Sequence, residues 1–215
     1  MIERVVDEQI RANTYLVETS VAGEVVVVDP GLDWEAIQAA LGSRRPVAVV
    51  CTHGHFDHVG SAHQLQERYG APLYLHRGDA KVLKSANFLL MACKIDQRIT
   101  VPKVDHLVED GATFEFGGDE LHFIHTPGHT PGSCLIEFRG TLFTGDTIYR
   151  DKVGMVEFPG EDKDVLRRSI LSVWDRLDPE LWACPGHGGA GRLGDIKETN
   201  QALRDFLALD AGPVR

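Results

Sequence analysis

The sequence of this 215-residue chain predicts an α/β fold. Three observations carry that reading. Short apolar runs alternate with amphipathic stretches and turn residues, 43% of the residues are apolar, and no internal repeat or low-complexity segment interrupts the pattern. A chain of this length and composition can bury a full core, and the expectation is a single domain over residues 1–215.

Strands are expected at 14–18, 24–29, 47–51, 120–125, 133–138 and 141–143, with a shorter one at 181–184. These runs are β-branched or alternating and are ended by Gly, Pro or Asp. Helices are expected at 34–41, 60–69, 163–177 and 196–207, where apolar residues recur near every 3.6 positions. Gly42 and Gly70 suit the left-handed position after a helix, Asp178-Pro179 is a stop for the third helix, and Asp195 followed by Glu198 has capping-box spacing. The stripe of Leu166, Ile170, Val173, Trp174 and Leu177 reads as core contact.

A formal net charge of -10 argues against general affinity for nucleic acid or anionic membrane. No window approaches the ~18 consecutive apolar residues of a membrane span, and the start Met1-Ile2-Glu3-Arg4 lacks the apolar core of a signal peptide, so a cytoplasmic protein is expected. Cys51, Cys93, Cys134 and Cys184 are widely spaced and read as reduced thiols outside any metal site. The sequence says nothing of oligomeric state.

Thr52-His53-Gly54-His55-Phe56-Asp57-His58 packs three imidazoles and a carboxylate into six residues, a density that ordinary packing rarely requires. Three later turns, Thr126-Pro127-Gly128-His129-Thr130-Pro131-Gly132, Thr144-Gly145-Asp146 and Pro185-Gly186-His187-Gly188, add two histidines and an aspartate. Seven candidate ligands result, enough for two metal ions. Each cluster falls just after an expected strand, and carboxyl ends of strands are where ligand sites gather in α/β proteins. His63, His76, His106, His122 and His125 have no ligand-like spacing and read as structural or surface residues. Asp29 reads equally well as a turn former before Pro30-Gly31 and as a carboxylate holding a ligand histidine.

These motifs, with Val28-Asp29-Pro30-Gly31 upstream, resemble the metallo-β-lactamase-fold hydrolases, and within them the glyoxalase II-like branch in its compact form. The resemblance spans nearly the whole chain and implies a four-layer αβ/βα sandwich. It further implies that His53, His55 and His129 bind one metal, that Asp57, His58 and His187 bind a second, and that Asp146 bridges them, with Asp57 and Asp146 essential to catalysis. Imidazole and carboxylate ligands without thiolate suit two Zn²⁺, and also Fe²⁺ or Mn²⁺. Two such cations sharing a hydroxide supply a nucleophile near neutral pH for an acyl carbonyl. The motifs contain no evident proton donor. A thiolate leaving group, with a parent pKa near ~8.5, needs none, so a thioester is the expected substrate. The alternatives are a mononuclear iron persulfide dioxygenase, hydrolysis of a lactone, β-lactam or phosphodiester at the same site, and a metal-containing effector that only binds its ligand.

Two segments are candidate substrate contacts. Residues 77–103 carry Arg77, Lys81, Lys84, Lys94, Arg98 and Lys103 against Asp79 and Asp96, around an apolar run that includes Phe88 and Met91. This stretch reads as a cap whose apolar part receives an acyl chain while its rim attracts an anionic carrier: coenzyme A, an acyl carrier protein or glutathione. After Asp146, Tyr149, Arg150 and Lys152 are placed to meet a substrate carboxylate. Where many compact relatives read Gly-Arg-Ser-Asp before Phe-Pro, this chain has Gly154-Met155-Val156-Glu157, and the stretch after His187 is too short for the helical glutathione-binding domain of longer glyoxalase II enzymes. Both departures argue against S-lactoylglutathione as substrate.

Overall fold

The computed structural model describes residues 1–154 and 160–209. The first sheet holds β1 (Ile2–Val6), β2 (Asn13–Glu18), β3 (Glu24–Val28), β4 (Arg45–Val50), β5 (Leu73–His76) and β6 (His106–Val108), in that order. β1 to β3 pair antiparallel, and β3 to β6 run parallel. The parallel steps need crossovers, supplied by α1 (Trp34–Leu41), by α2 (Phe56–Val59) with α3 (Ala62–Tyr69), and by α4 (Ala80–Lys84) with α5 (Ala86–Ala92). The second sheet holds β7 (Thr113–Phe116), β8 (Asp119–His125), β9 (Cys134–Phe138), β10 (Thr141–Gly145), β11 (Trp182–Pro185) and β12 (Gly191–Arg192). α6 (Lys163–Trp174) crosses between β10 and β11, and α7 (Leu193–Thr199) and α8 (Gln201–Ala208) close the described chain.

Side-chain alternation sorts these elements into layers. Along β2, β3 and β4 the residues Leu16, Val25, Val27 and Val49 join the helices α1 and α3 in one cluster. Their neighbours Tyr15, Val17, Val26, Val28, Ala48 and Val50 meet Phe123, Ile136, Phe138 and Phe143 of the other sheet. On its far face the second sheet turns Leu135 and Leu142 toward Leu166, Ile170, Ile196 and Leu203 of α6, α7 and α8. Helix, sheet, sheet and helix follow in order, the αβ/βα sandwich expected from the motifs.

Several elements differ from the sequence reading. β1, β5, β6, β7 and β12 were not expected: β1 is a charged edge strand, and β5, β6 and β12 are four residues or fewer. The hairpin joining β7 to β8 did carry a signal, Gly117-Gly118 between alternating runs, and both glycines take positive φ (63° and 86°). The helix expected at 60–69 is α3, which begins at Ala62, and the one-turn helix α2, Phe56–Val59, precedes it. That expected at 163–177 ends at Trp174, before Asp178-Pro179. The helix expected at 196–207 is two pieces: Asn200 breaks it, capping α8 with its side chain, while Asp195 lies inside α7 and caps nothing. Among the described residues no helix is long and apolar enough to cross a membrane. Cys51, Cys93, Cys134 and Cys184 are free thiols.

Candidate metal centre

All seven predicted ligands lie just beyond strand ends along one rim of the sandwich. His53 and His55 occupy the loop after β4, and Asp57 and His58 form the first turn of α2. His129 lies in the turn between β8 and β9, Asp146 directly follows β10, and His187 follows β11. A strand that stops short and a one-turn helix explain the tight spacing of the first motif: the loop sets two imidazoles side by side, and the helical turn brings Asp57 and His58 across from them.

The ligand atoms fall into groups of His53, His55 and His129, of His53, His58 and Asp146, and of Asp57, His58 and His187, with every atom of a group within 4.8 Å of the others. His55 Nδ1 lies 3.1 Å from His53 Nε2 and 3.0 Å from His129 Nε2. Nitrogens bound to one tetrahedral zinc sit about 3.3 Å apart, given Zn–N bonds of about 2.0–2.1 Å, so this spacing fits a shared cation. His187 Nε2 is 3.2 Å from Asp57 Oδ2. Asp146 stands between the groups, with Oδ1 3.6 Å from His58 Nε2 and Oδ2 3.5 Å from His129 Nε2 and 3.7 Å from His187 Nε2. Two of these atoms, His58 Nε2 and Asp146 Oδ1, are buried and make no hydrogen bond among the described residues. Native folds rarely leave such atoms unpartnered, and a divalent cation would partner both.

The charges tell the same story. Burial works to lower the pKa of His58, but Asp57, Asp146 and Asp29 outweigh it and lift the imidazole to about 10. His187 is raised for a like reason, with burial opposed by Asp57 and Asp146. Burial and the crowd of neighbouring imidazoles hold His53 well below its ordinary value and His55 down at about 4. Burial would raise the Asp57 and Asp146 carboxyls, yet the surrounding histidines, His58 foremost, keep both below the usual range.

Around the ligands stand side chains that position them. The Asp29 carboxylate accepts from the Thr52 N–H and hydroxyl, both at 2.7 Å, and lies 3.0 Å from His58 Nδ1. Asp29 does this from a left-handed backbone (φ 51°), a strained position for a non-glycine residue. Glu161 Oε1 is 2.8 Å from His129 Nδ1, and both side chains are 2% exposed. A carboxylate on the far nitrogen fixes a ligand histidine's orientation and raises its basicity. Asn13 Nδ2 donates to the carbonyls of Pro185 (2.9 Å) and Gly188 (3.0 Å), and the Tyr15 hydroxyl donates to Pro185 (2.7 Å), so β2 holds the His187 turn. Gly186 is needed there, because a Cβ would lie 2.2 Å from Asp146 Oδ1 and 2.5 Å from His58 Cε1. Sequence reading missed Glu161, Asn13 and Tyr15, none of which belongs to a local motif. His76 and His125 stack on each other, with centroids 4.0 Å apart, and belong to no ligand group among the described residues.

His55, Asp57, His129, Asp146 and His187 form one wall of a cavity of about 620 Å³. Ile10, Phe56, Leu89, Ile95 and Val153 give it an apolar side, and Tyr149, Cys93, Lys94 and Lys152 complete it. Lys152 places its ammonium 4.7 Å from the centre of the Tyr149 ring, and Tyr149 is buried beside Asp146, where burial and then that charge raise the pKa of its hydroxyl. The cap segment meets this cavity with a different face from the one expected. Leu89 and Cys93 line it, whereas Phe88 and Met91, 62% and 65% exposed, border a separate cavity of about 420 Å³. The helical period is the reason: Leu89 and Cys93 are one turn apart on the inner side of α5. Arg150 also points elsewhere, packing beside Gly189 and Gly191 in a cavity bordered by Trp182. Residues 155–159, and with them most of the Gly154-Met155-Val156-Glu157 departure, lie outside the described residues.

A two-sheet sandwich with clustered histidines and aspartates at its strand ends defines a metal-dependent hydrolase class, and the chain belongs to it: the metallo-beta-lactamase superfamily model matches residues 9–187. Among curated relatives, an uncharacterized protein of Aquifex aeolicus is 31% identical, over 92% of this chain and 94% of that one. Hydroxyacylglutathione hydrolase GloC of Haemophilus influenzae is 28% identical, over 82% of this chain and 86% of its own. Among solved structures, the BLEG-1 B3 metallo-beta-lactamase superposes with a TM-score of 0.85 at 29% identity, covering 94% of this chain and 99% of that one. TTHA1623 in a di-iron-bound form superposes with a TM-score of 0.79 at 32% identity, covering 93% and 98%.

Proposed function

We propose that this chain is a dinuclear metal hydrolase of acyl thioesters carried on an anionic group. The observation that carries the reading is the cavity: two facing ligand groups on one wall, an apolar side, and two lysines. His53, His55 and His129 would hold one divalent cation, Asp57, His58 and His187 a second, and Asp146 both. Bound there, such cations supply a water acidified toward pKa ~7 and an electrophile for the substrate carbonyl. The chain's own residues do the rest. Ile10, Leu89, Ile95 and Val153 receive the acyl chain and exclude bulk water from the carbonyl. Tyr149, whose pKa burial and then Asp146 push well above its ordinary value, keeps its proton beside Asp146. Lys94 and Lys152 attract the anionic carrier, which is coenzyme A, an acyl carrier protein or glutathione. A thiolate, with a parent pKa near ~8.5, departs without general-acid help from any of these side chains.

GloC, a relative named for hydrolysing a glutathione thioester, supports the thioester class. A second reading is a mononuclear iron persulfide dioxygenase; the di-iron-bound form of TTHA1623 supports iron as the metal, though not that reaction. Elemental analysis of purified protein, with a panel of acyl-CoA, acylglutathione, lactone and β-lactam substrates and an oxygen-uptake assay on glutathione persulfide, separates them. The proposal expects two metals per chain and fastest turnover on a thioester. Preferred turnover of any other substrate overturns it.

A further inference from the structure

Asp79 is fully buried and lies outside every ligand group, yet it touches three parts of the site. Its Oδ2 accepts from the Gly54 N–H, between His53 and His55, and from the Thr130 hydroxyl, next to His129, each at 2.7 Å. Its Oδ1 accepts from the Gly132 N–H at 2.6 Å, on the far side of the same turn. The Thr130 hydroxyl is in turn 2.8 Å from Ser133 Oγ, which accepts from the Thr130 N–H at 3.0 Å. The packing is tight: a Cβ on Gly132 would lie 2.6 Å from the Asp79 nitrogen. Asp79 also stands at the root of the α4–α5 segment, whose Leu89 and Cys93 line the cavity.

We infer that Asp79 is a positioning residue, a buried carboxylate that ties the loop of His53 and His55 to the turn of His129 and so sets the spacing of the three-histidine group. The inference rests on the metal-site reading above. Physical economy favours it over a purely architectural role. Beside the backbone bond from the Cys134 N–H to the Thr52 carbonyl (2.8 Å), this one carboxylate gathers three donors from the two loops, and both loops carry candidate ligands of the same group. A buried charge is retained where it is fully hydrogen-bonded, and its loss is felt by everything it held.

Asp79→Asn keeps the shape but turns an amide N–H₂ toward a backbone N–H in either orientation. The test is Co²⁺ binding by chelator competition and by visible absorption, with the melting temperature of the metal-free protein measured beside it. Wild type is expected to bind two Co²⁺. Asp79→Asn is expected to bind one of them about 10–100-fold more weakly, with a changed absorption band, the range seen when supports of metal ligands are removed. Thr130→Val, which leaves both backbone N–H bonds in place, is the milder variant and carries the test if Asp79→Asn does not fold; about a threefold or larger weakening is expected. Unchanged Co²⁺ affinity and absorption in the variants, whatever their melting temperatures, overturn the inference. Failure of wild type to bind Co²⁺ overturns the metal reading itself.

Discussion

Asn200 joins the scaffold to the substrate cavity, and replacing it measures both. The side chain is 2% exposed. Its Oδ1 accepts from the Leu203 N–H at 3.0 Å, capping α8, while Nδ2 donates to the carbonyls of Tyr149 (3.0 Å) and Lys152 (3.1 Å). Asn200→Ala removes a cap worth about 1 kcal/mol and two buried hydrogen bonds worth about 1 kcal/mol each, roughly 3 kcal/mol in all. For a chain of this size that lowers the melting temperature by about 6–12 °C. Asn200→Ser keeps a capping oxygen but is too short to reach the two carbonyls, so it should recover about 1 kcal/mol of the loss. Because the freed loop carries Tyr149 and Lys152, KM for an anionic thioester should rise several-fold in both variants, with kcat nearly unchanged. Calorimetry and steady-state kinetics on the same preparations read both quantities. A melting temperature within 1 °C of wild type in Asn200→Ala, or a loss confined to kcat, would refute the reasoning.

Asp57→Ala and Asp146→Ala each remove a proposed ligand and should cut turnover by more than about 100-fold while circular dichroism stays native; wild-type rates in both would remove these residues from the mechanism. Lys94→Glu and Lys152→Glu should each raise KM for an anionic thioester by roughly tenfold and flatten its salt dependence, leaving kcat alone, and a KM that does not move would dispose of the capture role. His76 is held down at about 4 by burial and then by His125, against an ordinary value near 6.5 in the unfolded chain. Its folded pKa is the lower one, so the unfolded state binds more protons between these values, and stability falls as pH drops from about 6.5 toward 4. His76→Asn, which can still accept from the Gly78 N–H, should flatten that slope in urea titrations; an unchanged slope would count against it.

The clustering of the seven candidate ligands was legible in the sequence because each comes from a short motif at a strand end, where a turn leaves little choice of geometry. His53, His55, Asp57 and His58 sit within six residues, and β4 and the one-turn helix α2 fix their relative placement. The inner strands were legible for the same kind of reason: Val25 to Val28 and Ala48 to Val50 are buried on both faces and read as unbroken apolar runs. What the sequence concealed depends on distant pairing. β1 and β6 hold together through partners across the sheet, and the exposed residues of β1 show no pattern of their own. Asn200 sits in an apparently continuous helical period, and only its bonds to Tyr149 and Lys152 explain why the helix breaks there. Phe88 and Met91 read from the sequence as substrate contacts, being apolar residues in a basic segment, whereas the period of α5 decides which side chains face inward and places Leu89 there.

The same distant contacts make an electrostatic argument about the centre. Asp57 and Asp146 are joined by the carboxylates of Asp29, Asp79 and Glu161, each hydrogen-bonded to a ligand or to the loop bearing one. Such a concentration of negative charge at one rim calls for positive charge to accompany it. Without a cation the balance falls on imidazole, which is why His58, though buried, is lifted to about 10. The sign is fixed: a raised histidine pKa contributes stability that is fully present below about 6.5 and lost as pH climbs through about 10. A cation that takes the place of that proton must therefore displace it, so metal affinity should increase with pH below about 10, close to tenfold per unit where one proton is released. Metal-free protein should accordingly melt lower than metal-loaded protein, by an amount that grows with free metal concentration, since binding to the native state alone adds RT ln(1 + [L]/Kd). A melting temperature indifferent to chelator across pH 6–8 would mean that these carboxylates are balanced by something other than a metal ion.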